Sequence, residues 1–111
     1  MTIIDAGPLV ALIDPSDIDH LRCLNAAAQL VDSRMVTTWP CLTEAMYLVG
    51  RRKGHVLQDA VWRMYRDGVL DIHHTSPDEA DRMQALMTMF RDTPMDLADA
   101  SIVAEYVCFY D

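Results

Sequence analysis

The feature that most constrains this chain is its opening run, Ile3-Ile4-Asp5-Ala6-Gly7-Pro8-Leu9-Val10-Ala11-Leu12-Ile13-Asp14. Two β-branched residues lead into a carboxylate, and small residues, a proline and an apolar run follow. This reads as a short buried strand with Asp5 at its C-terminal tip and a helix opening at Pro8. Open α/β sheets bind ligands outside the carboxyl ends of their strands, so an acid at that tip is placed for chemistry. It is equally placed to cap the helix that follows. The remainder of the chain decides between a ligand and a cap.

The same alternation continues. A second helix is expected from Asp19 to Asp32, with Ser16 or Asp17 as cap and Leu21, Leu24, Ala27, Ala28 and Val31 on its inward stripe. Met35–Thr38 reads as the second strand. Pro40 holds Trp39 extended, so the next helix should start near Pro40 or Cys41 and carry Glu44 in its first turns. Val56–Asp67 is a further helix closed by Gly68, and Val69–His73 a third strand. Ser76-Pro77-Asp78-Glu79 is a capping-box start for a helix running to Phe90. Asp92-Thr93-Pro94 interrupts the chain, and a last helix begins at Met95. Strands alternating with helices give an α/β class with a central parallel sheet.

At 111 residues, 51% hydrophobic and 23% charged, the chain suits one domain. It has no apolar run of membrane-spanning length, no basic leader and no zinc-like Cys/His spacing. Cys23, Cys41 and Cys108 read as reduced thiols of a cytoplasmic protein. A net charge of −8 argues against a general nucleic-acid binder, although not against a local basic groove.

Four acids stand among apolar or small residues: Asp5, Glu44, Asp96 and Asp99. Asp96 and Asp99 are i, i+3 at a helix start, with no Lys or Arg at helical spacing beyond them. Clustered carboxylates raise one another's pKa unless a cation neutralises them. Hard oxygen ligands without His or Cys favour Mg²⁺, with Mn²⁺ as a substitute, and such an ion supports phosphodiester cleavage. Read singly, each acid also serves as a cap or dipole partner.

Residues 3–14, Thr37-Thr38-Trp39-Pro40-Cys41-Leu42-Thr43-Glu44-Ala45 and Asp92-Thr93-Pro94-Met95-Asp96-Leu97-Ala98-Asp99-Ala100-Ser101 together resemble the three acidic blocks of PIN-domain ribonucleases. Within that family the chain is most similar to the VapC-type toxins of toxin–antitoxin pairs. The resemblance implies a PIN-like three-layer α/β/α domain over residues 1–111 and a Mg²⁺-dependent endoribonuclease. Asp5, Glu44 and Asp99 would hold the metal with Asp96 beside them, and Glu44 would orient the nucleophile through a water. It further implies a homodimer, an RNA substrate and an antitoxin that occupies the groove. The alternative is a catalytically degenerate domain that binds an antitoxin-like protein.

The family's usual continuation, a glycine turn, a strand and a fourth acid, has no counterpart after Ala104. Either the C-terminal strand is missing, or Val107–Tyr110 is a shortened returning strand and Asp111 replaces the fourth acid.

Arg51, Arg52 and Lys53 are candidate phosphate contacts, with His55, Arg63 and Arg66 nearby; they serve equally as a solvated helix end. His73 and His74 should lie on opposite sides of a strand. Met46, Met64, Met83 and Met87 are at core or dimer-interface spacing, Tyr47 and Trp62 are interface candidates, and Ser101 suits a packing position.

Overall fold

A computed structural model describes residues 1–30, 32 and 34–110, with the backbone alone for 107–110. Three strands, β1 (Thr2–Ile3), β2 (Met35–Thr38) and β3 (Leu70–His73), form a parallel sheet in the order β1-β2-β3. Its register pairs Thr2 with Met35, Met35 with Leu70 and Thr38 with His73. Six helices accompany it: α1 (Ala6–Ile13), α2 (His20–Ala28), α3 (Trp39–Lys53), α4 (His55–Arg66), α5 (Pro77–Met89) and α6 (Leu97–Tyr110).

Strand alternation explains the layers. Met35, Leu70 and Ile72 point to one face and join Leu9, Leu42, Val49 and Val61 in the main core. Those partners come from α1, α3 and α4. The opposite positions meet the other helices: Thr38 Oγ1 hydrogen-bonds Ser101 Oγ of α6 at 2.6 Å, and His73 Nε2 lies 2.6 Å from Glu79 Oε2 of α5. A smaller core of Met83, Ala100 and Ala104 binds α5 to α6. All four β2 residues are buried, as a central strand covered on both faces must be. The expected three-layer α/β/α arrangement is therefore present.

Several boundaries move for identifiable reasons. α1 opens at Ala6 rather than Pro8, because the Asp5 carboxylate accepts the Ala6 N–H at 2.6 Å and starts the helix earlier. α3 opens at Trp39, since Thr38 caps it by accepting the Cys41 N–H at 3.3 Å. Gly54 and Gly68 close α3 and α4 at φ of 72° and 78°, where a side chain would be strained. The Ser76–Glu79 capping box forms as the sequence requires.

Two expectations are corrected. α2 spans only His20–Ala28 and buries no residue fully. Of its expected stripe, Leu21 is 73% exposed, Leu24 41% and Ala28 also exposed, and only Ala27 turns inward, while Ile18 just before the helix is 97% exposed. Cys23 and Ala27, with Leu30 beyond the helix end, are the half-buried positions on the side of Pro8 and Leu12 of α1. Val31 lies outside the described residues. The β-prone segment Val107–Tyr110 is not a returning strand: it continues α6. With no turn residue after Ala104, the helical ladder propagates through it, and local β preference is too weak to stop that. Asp111 lies outside the described residues.

Two buried acids escaped the sequence pattern. Asp14, with no exposed surface, closes α1 and accepts from Ser16 N at 3.0 Å, Ser16 Oγ at 2.7 Å and Arg52 Nη1 at 3.1 Å. These bonds, those from Ser16 first, hold its pKa below the ordinary carboxylate range despite burial. Arg52 also reaches Asp17 at 2.7 Å, tying the end of α3 to the α1–α2 turn. Glu105 on α6 is likewise fully buried, and among the described residues neither carboxylate oxygen has a hydrogen-bond partner. Burial pushes its pKa up to about 7, opposed by nearby His73 and reinforced by Glu79.

Arg52→Ala strips one charged donor from a buried carboxylate, which should cost about 1–3 kcal/mol. Thermal unfolding at pH 7 should register that as a lower Tm, by about 4–8 °C per kcal/mol. Glu105 acts in the opposite sense. From its ordinary 4.5 to about 7 the folded chain keeps a proton that the unfolded chain has released, so stability falls as pH rises through that window. The loss is on the order of 3 kcal/mol. Glu105→Gln should therefore raise Tm at pH 8, change it little at pH 5, and flatten the pH dependence between them.

Candidate metal and nucleic-acid site

The site is built where three helices begin. Asp5 ends β1 and caps α1, Thr38 ends β2 and caps α3, and Asp96 precedes α6. A hydrogen-bonded cluster fastens these starts together. Ser101 Oγ meets Thr38 Oγ1 and also donates to Ala98 O at 2.7 Å. The Cys41 thiol lies 3.4 Å from Asp5 Oδ1, 3.7 Å from Ala98 O and 3.9 Å from Ser101 Oγ. Thr38, Cys41 and Ser101 are all buried. Ser101 thus has the packing role its size suggests.

The cysteine is not a nucleophile. Burial is the main cause that pushes its pKa up to about 11, and the Asp5 charge adds to it. The thiol stays protonated and can donate to Asp5.

Asp5, Glu44 and Asp96 are exposed and Asp99 is half-buried, so the four acids rim a surface rather than fill a core. They are near enough to feel one another. The Glu44 pKa is raised by desolvation first, then by the charges of Asp96, Asp5 and Asp99 in that order. Among the described residues none of the four forms an ion pair.

Their hydrogen bonds also support the capping role. Asp99 N–H donates to Asp96 Oδ1 at 2.8 Å, and Asp96 N–H donates to Asp99 Oδ2 at 3.2 Å. This is a reciprocal capping box at the start of α6. Asp5 is likewise a cap. Among the described residues no three His, Cys, Asp or Glu side chains are grouped to hold a metal ion. The donor set suits a hard divalent cation in kind and in charge. Its carboxylates would have to turn inward, Asp96 and Asp99 giving up part of their mutual bonding.

Beside Glu44 runs a groove of about 630 Å³, lined by Trp39, Thr43, Glu44 and Tyr47 of α3 and by Asp96 and Leu97. Arg51 continues that face: its Nη1 donates to Tyr47 Oη at 3.2 Å, and its guanidinium lies 5.7 Å from the ring centre. Arg52 points elsewhere, into the Asp14–Asp17 pair. Lys53 is exposed at the end of α3, His55 pairs with Asp59 at 3.3 Å, and Arg63 and Arg66 are exposed on α4. His74 falls beyond β3, where its Nδ1 accepts from Trp39 Nε1 at 3.3 Å.

The sequence reading missed the Cys41–Ser101–Thr38 cluster and the groove beside it. Spacing gave one usable signal for the groove. Trp39, Thr43, Tyr47 and Arg51 recur every four residues, an aromatic and cationic stripe on one helical face.

No family model and no protein of curated function matches the sequence. Among solved structures, the chain superimposes on VapC20 of Mycobacterium tuberculosis, a sarcin–ricin loop cleaving toxin, with a TM-score of 0.88. The match covers 98% of this chain and 83% of that one at 19% identity. A likeness of that extent establishes the fold: the chain has the PIN-domain architecture of a VapC toxin. Among the described residues no helix is long and apolar enough to cross a membrane.

The buried, protonated state of Cys41 is directly testable. Iodoacetamide at pH 8 should leave Cys41 unmodified in the folded protein and label it in denaturant. Peptide mapping by mass spectrometry provides the readout.

Proposed function

We propose that this chain is a Mg²⁺-dependent endoribonuclease, the toxin of a type II toxin–antitoxin pair acting in the cytoplasm. The observation that carries the reading is the meeting of Asp5, Glu44, Asp96 and Asp99 at the strand tips of a fold shared with an RNA-cleaving toxin. Mg²⁺ or Mn²⁺, when bound, supplies a nucleophile from water at neutral pH and neutralises the charge that develops on the phosphate.

The chain's own residues do the rest. Asp5, Glu44 and Asp99 would hold the ion, with Asp96 beside them. Glu44, whose pKa is raised by desolvation first and by the neighbouring acids second, would orient the attacking water and accept its proton. Cys41 keeps the Asp5 carboxylate in place. Cleavage leaves a 3′-hydroxyl and a 5′-phosphate. Arg51 and Lys53 contact the RNA backbone, while Arg52 contributes by holding the end of α3. The exposed Ile18, Leu21 and Leu24 supply apolar surface for a homodimer partner or antitoxin.

A second reading has its own observation. Asp96 and Asp99 spend oxygens on each other's backbone, and among the described residues no metal-holding group of three is formed. That favours a degenerate PIN-fold module that binds an antitoxin-like protein without cleaving RNA.

Cleavage of a structured RNA in Mg²⁺ or Mn²⁺, alongside Mn²⁺ titration, separates the two. Under the nuclease reading, Asp5→Asn and Asp99→Asn should each reduce cleavage by about 100-fold or more while the fold is kept. Cleavage that survives both substitutions rejects the metal-site assignment. No cleavage together with no Mn²⁺ binding by the native chain selects the degenerate module.

A further inference from the structure

The groove beside Glu44 has a composition that metal binding does not explain. Trp39 is 43% exposed and Tyr47 60% exposed, on the same face of α3 with Glu44 between them. Neither ring is needed by the core. Both are nevertheless held. The Trp39 indole N–H donates to His74, whose ring centre lies 6.0 Å away. Arg51 meets Tyr47 at its hydroxyl, 3.2 Å away, and over its ring, 5.7 Å from the centre. Exposed rings that are fixed in place, with a guanidinium alongside, are the equipment of a surface that stacks nucleobases.

We propose that Trp39 and Tyr47 form a stacking platform for unpaired RNA bases on either side of the phosphate presented to Glu44. The proposal rests on the ribonuclease reading and names the form of substrate it accepts. Eight residues separate the rings, about 12 Å along the helix axis. That exceeds the ~7 Å limit for stacked ring centres, so the rings take separate bases rather than sandwiching one. A paired duplex keeps its base faces inside the stack, where neither ring can reach them. The platform therefore selects loops and single strands.

The net charge of −8 gives the chain no long-range attraction for phosphates, so an RNA held in this groove would depend on stacking and on local cations. Arg51 stands beside the ring that needs it, while Arg52 is committed to Asp14 and Asp17. One or two phosphate contacts predict a shallow salt dependence, a slope of roughly −0.7 to −1.4 in log affinity against log salt.

The chain has two tryptophans, so Trp62→Phe leaves Trp39 as its sole indole. Titration of that variant in EDTA with a hairpin RNA carrying an unpaired loop should quench Trp39 emission saturably. A blunt duplex of the same base composition should not. Tyr47→Ala should weaken hairpin binding by about fivefold or more, and Tyr47→Phe should restore it, since the ring and not the hydroxyl stacks. In Mg²⁺ the loss should fall on KM with kcat retained. Equal quenching by hairpin and duplex, no quenching by either, or native affinity in Tyr47→Ala overturns the platform. The last two are also the results expected if the groove receives a protein segment instead. Selective quenching without cleavage rejects the ribonuclease reading and leaves the platform standing. Cleavage without quenching does the reverse.

Discussion

The structure depends on one buried contact set: Thr38 against Ser101, with the Cys41 thiol wedged between Asp5 and Ala98. Without it, three helix starts would merely be near one another. With it, the end of β1, the end of β2 and the first turn of α6 are fixed as one unit. Each of those helix starts carries positive dipole character, which is why a set of exposed acids tolerates such proximity. Among the described residues none of the four acids is paired with an arginine, so the helix dipoles are the fixed positive character beside them.

The two roles of the acids, cap and ligand, do not exclude each other. A carboxylate has two oxygens and about four acceptor positions, and a backbone N–H uses one. Asp5 caps α1 through Oδ1, and Asp96 caps α6 through Oδ1. Each retains an oxygen for another partner. Capping restrains each carboxylate without using all of its acceptor positions. Repulsion among the four adds to desolvation, the larger cause, in raising the Glu44 pKa. Glu44 is the member best suited to exchange a proton, because it alone is on the body of a helix rather than at a cap.

Which parts of this were legible in the sequence follows from the range of each interaction. The positions of the three strands, the Ser76 box and the Gly68 stop are written in neighbouring residues and were read correctly. The acids were found because polar residues inside apolar runs are conspicuous. Local patterning failed where a partner distant in sequence decided the outcome. Leu21 and Leu24 look like a core stripe, yet α1 receives the Cys23–Ala27–Leu30 face instead. Asp14 reads as a helix breaker and is a buried anchor because Arg52, thirty-eight residues on, reaches back to it. Arg52 was grouped with Arg51 and Lys53 as a basic run. Helical geometry turns adjacent residues by about 100°, so the run cannot act as one patch.

Glu105 shows the cost of a helix that must pack on both sides. α6 offers Ala98, Ala100 and Ala104 to its neighbours, small residues that bring α3, α5 and β2 close. The same closeness leaves position 105 buried, and among the described residues nothing donates to its carboxylate. Neutral Glu105 is tolerated and charged Glu105 is not, so α6 is held more tightly in acid than in base. Because α6 carries Asp99 and Ser101 and follows directly on Asp96, protonation that steadies the helix also steadies the scaffold under the candidate site.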